Sequence, residues 1–483
     1  MSQRNDNRPA EQAFAQLNPK ITRRAAIQAG AIGLGLSTTH LSALRALGPA
    51  AKPAKAKNVI FVFLTGGISH HDTWDMKPEA PTEIRGEFGR ISTRTPGLEF
   101  CEHLPKLAAR SDQYALVRSM KTASNGHEPA CHMLLTGRLD FPPGFSLNKV
   151  PSRNEWPSIP AVVTYALRDQ RGKMPPAAIL PQPSVNEANK VRPGQYAGLL
   201  GNHWDAWHID IAANCPKGNG ACPECFRFDD TPFQHAAETI YDIPTLTLPE
   251  GGQSRLNGRL GLLAEVQKQQ KALERAADKF DGERRQAISV LTDPKVKSAF
   301  DVENTSPELK EKYGANKFGL SCLMAKRLVE SGVNLVQVNL GKNSSWDTHR
   351  RNFISLKDHL LPPFDRCISA LLDDLTESGM LDDTFVVVTG EFGRTPKINK
   401  DAGRDHWGPV NTMMFFGGGV RGGTIVGASD RIGAEPTRDV VYPENFAATI
   451  YEALGIPREA HWMDVEGRPH AIYRGKAIHG IYG

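Results

Sequence analysis

Six short runs along the chain are almost continuously apolar, a pattern typical of strands buried on both faces of a parallel sheet. The runs are Asn58–Thr65, Tyr114–Ser119, Pro176–Pro181, Val333–Leu340, Thr384–Gly390 and Asn411–Gly418. Amphipathic stretches separate them, among them Leu356–Gly379 and Asn445–Gly455. Strands that alternate with helices predict an α/β fold, in which helices pack on both faces of a doubly wound, mainly parallel sheet.

Two regions interrupt this alternation. Residues 183–254 are rich in Pro, Gly, Asn and Cys and indicate a long surface excursion, whereas residues 255–330 are charged and helical in pattern. Neither region indicates an independent second domain. We therefore expect a single domain over residues 58–475 that carries both excursions.

The N-terminal residues 1–57 have the pattern of an export leader. Arg23 and Arg24 precede about twenty weakly apolar residues and then an Ala-, Pro- and Lys-rich linker, which is typical of a twin-arginine signal. The leader predicts a periplasmic or otherwise exported protein whose first partner is the twin-arginine export machinery. An uncleaved leader would instead anchor the chain. No later run reaches the roughly 18 apolar residues of a membrane span.

The leader also explains the net charge of +5. Residues 1–51 carry six of the 58 Lys and Arg and two of the 53 Asp and Glu, which leaves 52 against 51 in the rest of the chain. A nearly neutral domain gives no electrostatic reason to expect nucleic acid as a partner.

The seven cysteines fall into two groups. Cys101, Cys131, Cys322 and Cys367 stand alone and are expected to pack as small hydrophobic side chains. The other three lie in the segment CPKGNGACPEC (residues 215–225), which follows two histidines. A zinc knuckle, a disulfide and reduced loop cysteines all fit this spacing. In each case we interpret the segment as a structural clip or a partner-binding loop and not as the site of chemistry.

Carboxylates and imidazoles follow four of the predicted strands. They lie in GGISHHDTWDMKP (66–78), MKTASNGHEPACHMLLTGR (120–138), SSWDTHRRN (344–352) and EFGRTPKINKDAGRDHW (391–407). Ligands of open α/β sheets collect beyond the carboxyl ends of the strands. The clustering therefore predicts a divalent cation site at that edge. Mixed imidazole and carboxylate ligands favour Zn²⁺ or Mn²⁺, with Mg²⁺ or Ca²⁺ as alternatives.

These segments carry a resemblance to a known family. Together with GRDHWGPVNTMMFFGGGVRGG (403–423), they resemble the DUF1501 family from Asn58 to about Ile456. That family is related to the alkaline phosphatase superfamily, which includes the sulfatases. The resemblance implies the fold of that superfamily and a metal-dependent site for phosphate or sulfate esters.

Carried over residue by residue, the resemblance implies metal ligands at Asp347, His349, Glu391 and His406. Asp72 and His70, which follow the first strand, are the candidates to complete the set. Two departures stand out: Phe392 occupies the place of a usual His ligand, and His127 the place of the usual nucleophile.

Three residues are candidates for the chemistry itself. His127 could bind the metal, transfer a proton or attack phosphorus, and Ser124 is the alternative nucleophile. Arg394 could clamp the anionic oxygens, or it could form a structural salt bridge. Asp347 has an alternative as well, as the N-cap of a helix that starts near Arg350.

We therefore expect an exported metal-dependent hydrolase that acts on a small anionic ester or on an ester linked to a polysaccharide. The alternative is a catalytically inactive binding or scaffold protein that keeps the fold and one structural metal. The sequence does not decide between them.

Overall fold

The predicted alternation of strands and helices builds one large sheet and four small two-stranded ones. The computed structural model describes residues 54–147, 153–168, 174–209 without 187 and 189, 298–302, 304–341 and 345–483. Its strands are β1 Asn58–Leu64, β2 Arg90–Ser92, β3 Glu99–Cys101, β4 Ala115–Met120, β5 Ala177–Leu180, β6 Trp207–His208, β7 Leu335–Leu340, β8 Thr384–Thr389, β9 Gly393–Arg394, β10 His406–Trp407, β11 Asn411–Phe416, β12 Ile425–Val426, β13 Ala428–Ser429, β14 Pro436–Arg438, β15 His461–Met463 and β16 Pro469–Ala471.

The large sheet has eight strands in the order β12-β4-β11-β8-β1-β7-β5-β6. β1 pairs in parallel with both β7 and β8, and β11 is the one strand of this sheet that runs antiparallel to its neighbours. All six apolar runs form strands of this sheet, because β1, β4, β5, β7, β8 and β11 lie within or at the edges of the predicted ranges. The predicted mainly parallel α/β fold is confirmed.

Helices pack on both faces of the sheet, as predicted. The helices are α1 Thr82–Arg85, α2 Pro105–Ala108, α3 His127–Thr136, α4 Ile159–Ala166, α5 Pro307–Tyr313, α6 Lys317–Glu330, α7 Asn352–Ser355, α8 Leu361–Glu377 and α9 Pro443–Ala453. On one face, α6 and α8 pack on the even-numbered positions of β1, such as Ile60 and Val62. On the other face, α3, α4 and α9 pack on Phe61 and Phe63. Strand side chains alternate between faces, so two core layers form.

One predicted helical stretch, Leu356–Gly379, begins differently from expectation. Leu356–Leu360 form a π-helical turn, and the α-helix α8 begins only at Leu361. Pro362 and Pro363 lie in the first turn of α8. Proline has no N–H to donate, so the regular backbone ladder cannot run through this point and a helix starts there instead.

Several predictions fall partly or wholly outside the described residues. The export leader, the cysteines at 215–225 and the stretch 210–297 of the two excursions lie there, so the predicted domain boundaries stay predictions. Cys101, Cys131, Cys322 and Cys367 are buried and free, as expected. Among the helices that the structure describes, none combines the length and the apolar character that a membrane crossing requires.

Candidate metal centre

The loops that follow three strands of the same direction, β4, β7 and β8, converge at one edge of the sheet. Asp347 and His349 follow β7, and Glu391 follows β8. His127 is the first residue of α3, the helix that follows β4, and His406 lies in the short strand β10. Since β4, β7 and β8 run in the same direction, the loops that leave them meet beyond their carboxyl ends.

A glycine makes this convergence possible on the side of β1. Gly67, just after β1, has a φ of +82°, and a Cβ there would lie 2.7 Å from both the carbonyl oxygen and the ring of Phe392. Any side chain at this position would therefore push the loop after β1 away from the loop after β8.

Asp347 lies at the centre of the converging groups. Its Oδ1 is 3.0 Å from His349 Nε2 and 3.0 Å from His406 Nε2, and its Oδ2 is 3.0 Å from His127 Nε2. The two nitrogens His349 Nε2 and His406 Nε2 are 2.8 Å apart. We call these four residues (His127, Asp347, His349 and His406) the Asp347 cluster. Asp347 and His127 are buried, and His349 and His406 are partly exposed.

The other ring nitrogen of each histidine donates to a fixed acceptor. His127 Nδ1 lies 2.7 Å from Glu391 Oε1, and His349 Nδ1 lies 2.6 Å from Asp405 Oδ1. His406 Nδ1 donates to the backbone carbonyl of Asn125 at 2.7 Å. An Nδ1–H held in this way makes Nε2 the acceptor nitrogen of a neutral imidazole, which is the arrangement of metal-ligating histidines.

Three imidazole lone pairs and a carboxylate thus face one another, and something positive must lie among them. Either extra protons or a cation can supply this positive charge. Ligand atoms held at about 2.0–2.1 Å from one ion stand roughly 3 Å apart, and the separations here are 2.8–3.0 Å. His127, Asp347 and His406 offer ligand atoms that all lie within 4.8 Å of one another. His349 adjoins this trio through Asp347 and His406, so the residues fit a divalent cation.

The electrostatics of the cluster favour ionised carboxylates. Burial favours the neutral acid, but the Arg394 guanidinium and the imidazoles hold the pKa of Asp347 well below its usual value. Burial lowers the pKa of His406, which favours a neutral ring at ordinary pH. Burial acts the same way on His127 and His349, yet their hydrogen bonds to carboxylates raise both pKa values. A proton therefore competes with a cation at these two rings.

Arg394, the predicted anion clamp, is directed at groups of the protein itself. It is fully buried, and each of its five N–H groups faces a protein acceptor. Nη1 lies 2.5 Å from Asp347 Oδ1, and the other contacts are backbone carbonyl oxygens. Arg394 thus pairs with Asp347, as in the salt-bridge alternative, and contacts the loops after β1, β7 and β9; its role as an anion clamp stays a prediction.

Asp72 and His70, the two candidates to complete the ligand set, are held by other partners. The Asp72 carboxylate is held by Arg404, whose Nε is 2.7 Å from Oδ2 and whose Nη2 is 2.9 Å from Oδ1. His70 Nε2 donates to the carbonyl of Gly433 at 2.9 Å, and its Nδ1 faces Gly393. Within the described part of the chain, neither residue belongs to the group of mutually close ligand atoms.

Glu391 and Ser124 also have neighbours that bear on their predicted roles. Both Glu391 oxygens accept the N–H of Gly66 at 3.0 Å, and one of them holds His127 Nδ1. Glu391 therefore lies behind His127 and orients it. The Ser124 hydroxyl accepts the N–H of Gly126 at 3.0 Å, which closes the turn before α3. The alternative for Asp347 as a helix cap is not observed, since α7 begins at Asn352 without a side-chain cap.

Some residues of the site carry no signal that sequence reasoning could use. Arg404 and Asn352 hold Asp72, and the carbonyl of Asn125 holds His406. Each of these contacts joins residues far apart in sequence. A contact to a backbone carbonyl also does not depend on the residue type, so it leaves no pattern in the sequence. Asp405 was predictable, because a carboxylate beside a candidate ligand histidine is a typical orienting partner.

Comparisons with known proteins place the chain in a family. Solved structures to which the chain is similar include a sulfatase from Pseudoalteromonas sp. (11% identity, TM-score 0.36, 86% of this chain and 70% of that one). A phosphonate monoester hydrolase from Silicibacter pomeroyi is another (13% identity, TM-score 0.30, 88% of this chain and 77% of that one). A mutant of TAB5 alkaline phosphatase with bound Mg is similar at 10% identity (TM-score 0.36, 83% and 99%). No curated protein matches the sequence. Residues 56–482 match the family described as "Protein of unknown function (DUF1501)", and the chain therefore belongs to the DUF1501 family.

Proposed function

We propose that the protein is an exported, metal-dependent hydrolase of phosphate or sulfate esters. The observation that carries the proposal is the Asp347 cluster. Three imidazoles, each held at Nδ1 by an acceptor, direct their Nε2 atoms toward one buried carboxylate. Such an arrangement costs stability unless a cation or protons lie between the groups.

The ligands in this proposal are Asp347, His349 and His406, with His127 as the fourth. Their chemistry suits Zn²⁺ or Mn²⁺ better than Mg²⁺ or Ca²⁺, because three of the four donors are imidazole nitrogens. When bound, such a cation polarises an ester oxygen and acidifies water. The side of the cluster formed by His349 and His406 is partly exposed, so a substrate would approach from there.

His127 has the geometry of a proton carrier. Its ring lies between Glu391 and Asp347, with both nitrogens within 3.0 Å of a carboxylate oxygen. A proton on Nδ1 is held by Glu391, and Nε2 faces the cluster, so His127 can hold or release a proton at Nε2. In this role it does not itself attack phosphorus. The ring of Phe392 packs 5.1 Å from that of His127 and 4.6 Å from that of His406, which shields this side from water.

The substrate class and the location are parts of the same proposal. A small anionic ester or an ester on a polysaccharide suits the resemblance to sulfatases and phosphatases, and the leader suits export through the twin-arginine machinery. Both rest on sequence patterns and not on the contacts of the cluster.

A second function, an inactive binding or scaffold protein, is favoured by two observations. Arg394 has no donor left for an anion, and Phe392 replaces a usual ligand with a buried phenyl ring. A chain that had lost catalysis would keep one structural metal at the Asp347 cluster.

Metal analysis and an ester screen distinguish these functions. We expect about one equivalent of metal in the purified protein, lost in Asp347→Asn and kept in Cys222→Ser, and hydrolysis of a phosphate or sulfate ester that a chelator abolishes. Metal without hydrolysis would favour the scaffold. Metal lost only in Cys222→Ser, or none in the wild type, would overturn the metal site.

A further inference from the structure

The two loops that carry the exposed histidines are joined at a second point, away from the cluster. His349 lies in the loop 345–352 and His406 follows the loop 399–405. Three backbone hydrogen bonds join these loops: Arg351 N–H to Asp401 O at 3.0 Å, Asn352 N–H to Ala402 O at 2.9 Å and Arg404 N–H to Thr348 O at 3.1 Å. The distance between His349 Nε2 and His406 Nε2 therefore depends on this junction.

The backbone at the junction is strained and closely packed. Arg351 and Ala402 face each other across it with φ of 51° and 52°, a left-handed conformation that residues other than glycine rarely adopt. A Cβ at Gly403 would lie 1.8 Å from the carbonyl oxygen of His349. Strained conformations of this kind persist only where the surrounding contacts hold them in place.

A buried carboxylate from a third loop supplies those contacts. Asp72 Oδ2 accepts from Arg404 Nε at 2.7 Å, from Asn352 Nδ2 at 2.9 Å and from the Ser69 hydroxyl at 2.6 Å. Asn352 in turn accepts the Thr348 hydroxyl at 2.5 Å. Asp72, Arg404, Asn352 and Thr348 are all fully buried. The carboxylate thus binds one residue from each of the two histidine-bearing loops.

We propose that Asp72 is a positioning residue, which sets the separation of His349 and His406 through Asn352 and Arg404 and so determines the affinity of the Asp347 cluster for its cation. The proposal rests on the metal site proposed above. It assigns to Asp72 a different role from the direct ligation that its sequence context suggests. A carboxylate that fixes the loops of two ligands acts as the outer partners of metal sites do.

Two matched substitutions test the positioning role without leaving Arg404 unpaired. Asn352→Ala and Ser69→Ala each remove one hydrogen bond from an uncharged donor to the same oxygen of Asp72. Asn352→Ala also removes the acceptor of the Thr348 hydroxyl, which lies in the loop that carries His349. Only Asn352 leads to a histidine-bearing loop. Affinities for Zn²⁺ are measured by competition with a chromophoric chelator on the full chain. The visible absorption of bound Co²⁺ reports the ligand geometry, and thermal unfolding checks that both variants fold.

We expect Asn352→Ala to weaken Zn²⁺ binding by about tenfold or more and to change the Co²⁺ spectrum, as loss of an outer partner does. Ser69→Ala should stay within about twofold of the wild type, since its contact lies on the other side of the carboxylate. Equal effects of the two variants, or wild-type affinity in Asn352→Ala, would overturn the positioning role alone. A wild-type chain that binds neither metal would remove the proposed function and this inference with it.

Discussion

The Asp347 cluster and the neighbouring pair His70–His71 both contain adjoining imidazole rings, and they differ in the direction of the ring nitrogens. In the cluster, each Nδ1 donates to an acceptor behind the ring, and the Nε2 atoms meet at Asp347. In the pair, each Nε2 donates to a loop carbonyl, that of Gly433 for His70 and that of Ile432 for His71. The Nδ1 atoms of the pair are buried without a hydrogen-bond partner.

A second group fixes the direction of each ring in both regions, and what distinguishes the cluster is that the remaining nitrogens of its three rings converge on one carboxylate. His70 and His71 are fully buried and hold the loop after β1 against residues 430–434. Their function is structural. The cluster has outer acceptors for all three rings and a partly exposed side. Four predictions test this contrast.

The largest effect is expected at Asp347. Asp347→Asn keeps the shape of the side chain but removes the charge that three imidazoles share, so Zn²⁺ affinity should fall more than about 100-fold, beyond the loss typical of an outer partner. His70→Gln should leave the affinity within about twofold. Chelator competition at pH 7.5 measures both. A comparable loss in His70→Gln would abolish the contrast between the two regions.

The second prediction concerns pH, to which His70 and His349 respond in opposite directions. Burial lowers the pKa of His70 from 6.5 to about 4. Between these two pH values the unfolded chain binds a proton at His70 that the folded chain does not bind. The contribution of neutral His70 to the free energy of unfolding is therefore complete above pH 6.5 and is lost as the pH falls toward 4. The loss for a fully buried group is roughly 3 kcal/mol. His349 has a raised pKa, so its contribution is present below pH 6.5 and is lost as the pH rises through the folded value.

Urea unfolding in the presence of a chelator tests whether His70 causes the predicted loss of stability at acid pH. His70→Gln keeps an N–H that can reach Gly433 but cannot take up the proton, so the variant should lose roughly 3 kcal/mol less than the wild type between pH 6.5 and 4. Substitution of the exposed His461 by Gln serves as the control and should follow the wild type. Parallel curves for wild type and His70→Gln would show that His70 does not carry the acid sensitivity.

Much of the fold was predictable because the strands are near-continuous apolar runs that only a doubly covered sheet accommodates. The meeting of His127, Asp347, His349 and His406 at one edge was predictable as well, since they follow strands that run in the same direction; their role as ligands stays a prediction. Asp72 and His70 satisfied the same rule, but their polar atoms contact other partners and do not join the Asp347 cluster. Their directions are set by Arg404 and Gly433, more than 300 residues away, and no local pattern encodes such a contact.

The third prediction concerns the buried outer partner of the cluster. Glu391→Gln keeps an oxygen that can accept from His127 Nδ1 but removes the charge that holds that proton, so Zn²⁺ affinity should fall by about tenfold. Because Glu391 is buried, solvent does not screen its charge, and the loss of that charge should have its full effect on Zn²⁺ affinity. Chelator competition measures the change. A loss as large as that of Asp347→Asn would indicate that Glu391 binds the cation directly.

The smallest effect is expected at the exposed outer partner. Asp405 accepts from His349 Nδ1 at 2.6 Å, but its side chain is 53% exposed. Water and salt weaken its charge, and Asn399 contacts the same oxygen at 3.2 Å. Asp405→Asn should therefore lower Zn²⁺ affinity only about threefold, below the range for buried outer partners. The effect should shrink at high salt, where Glu391→Gln should keep its full loss. If Asp405→Asn matched Glu391→Gln at both salt concentrations, burial would not be what separates strong from weak partners of this cluster.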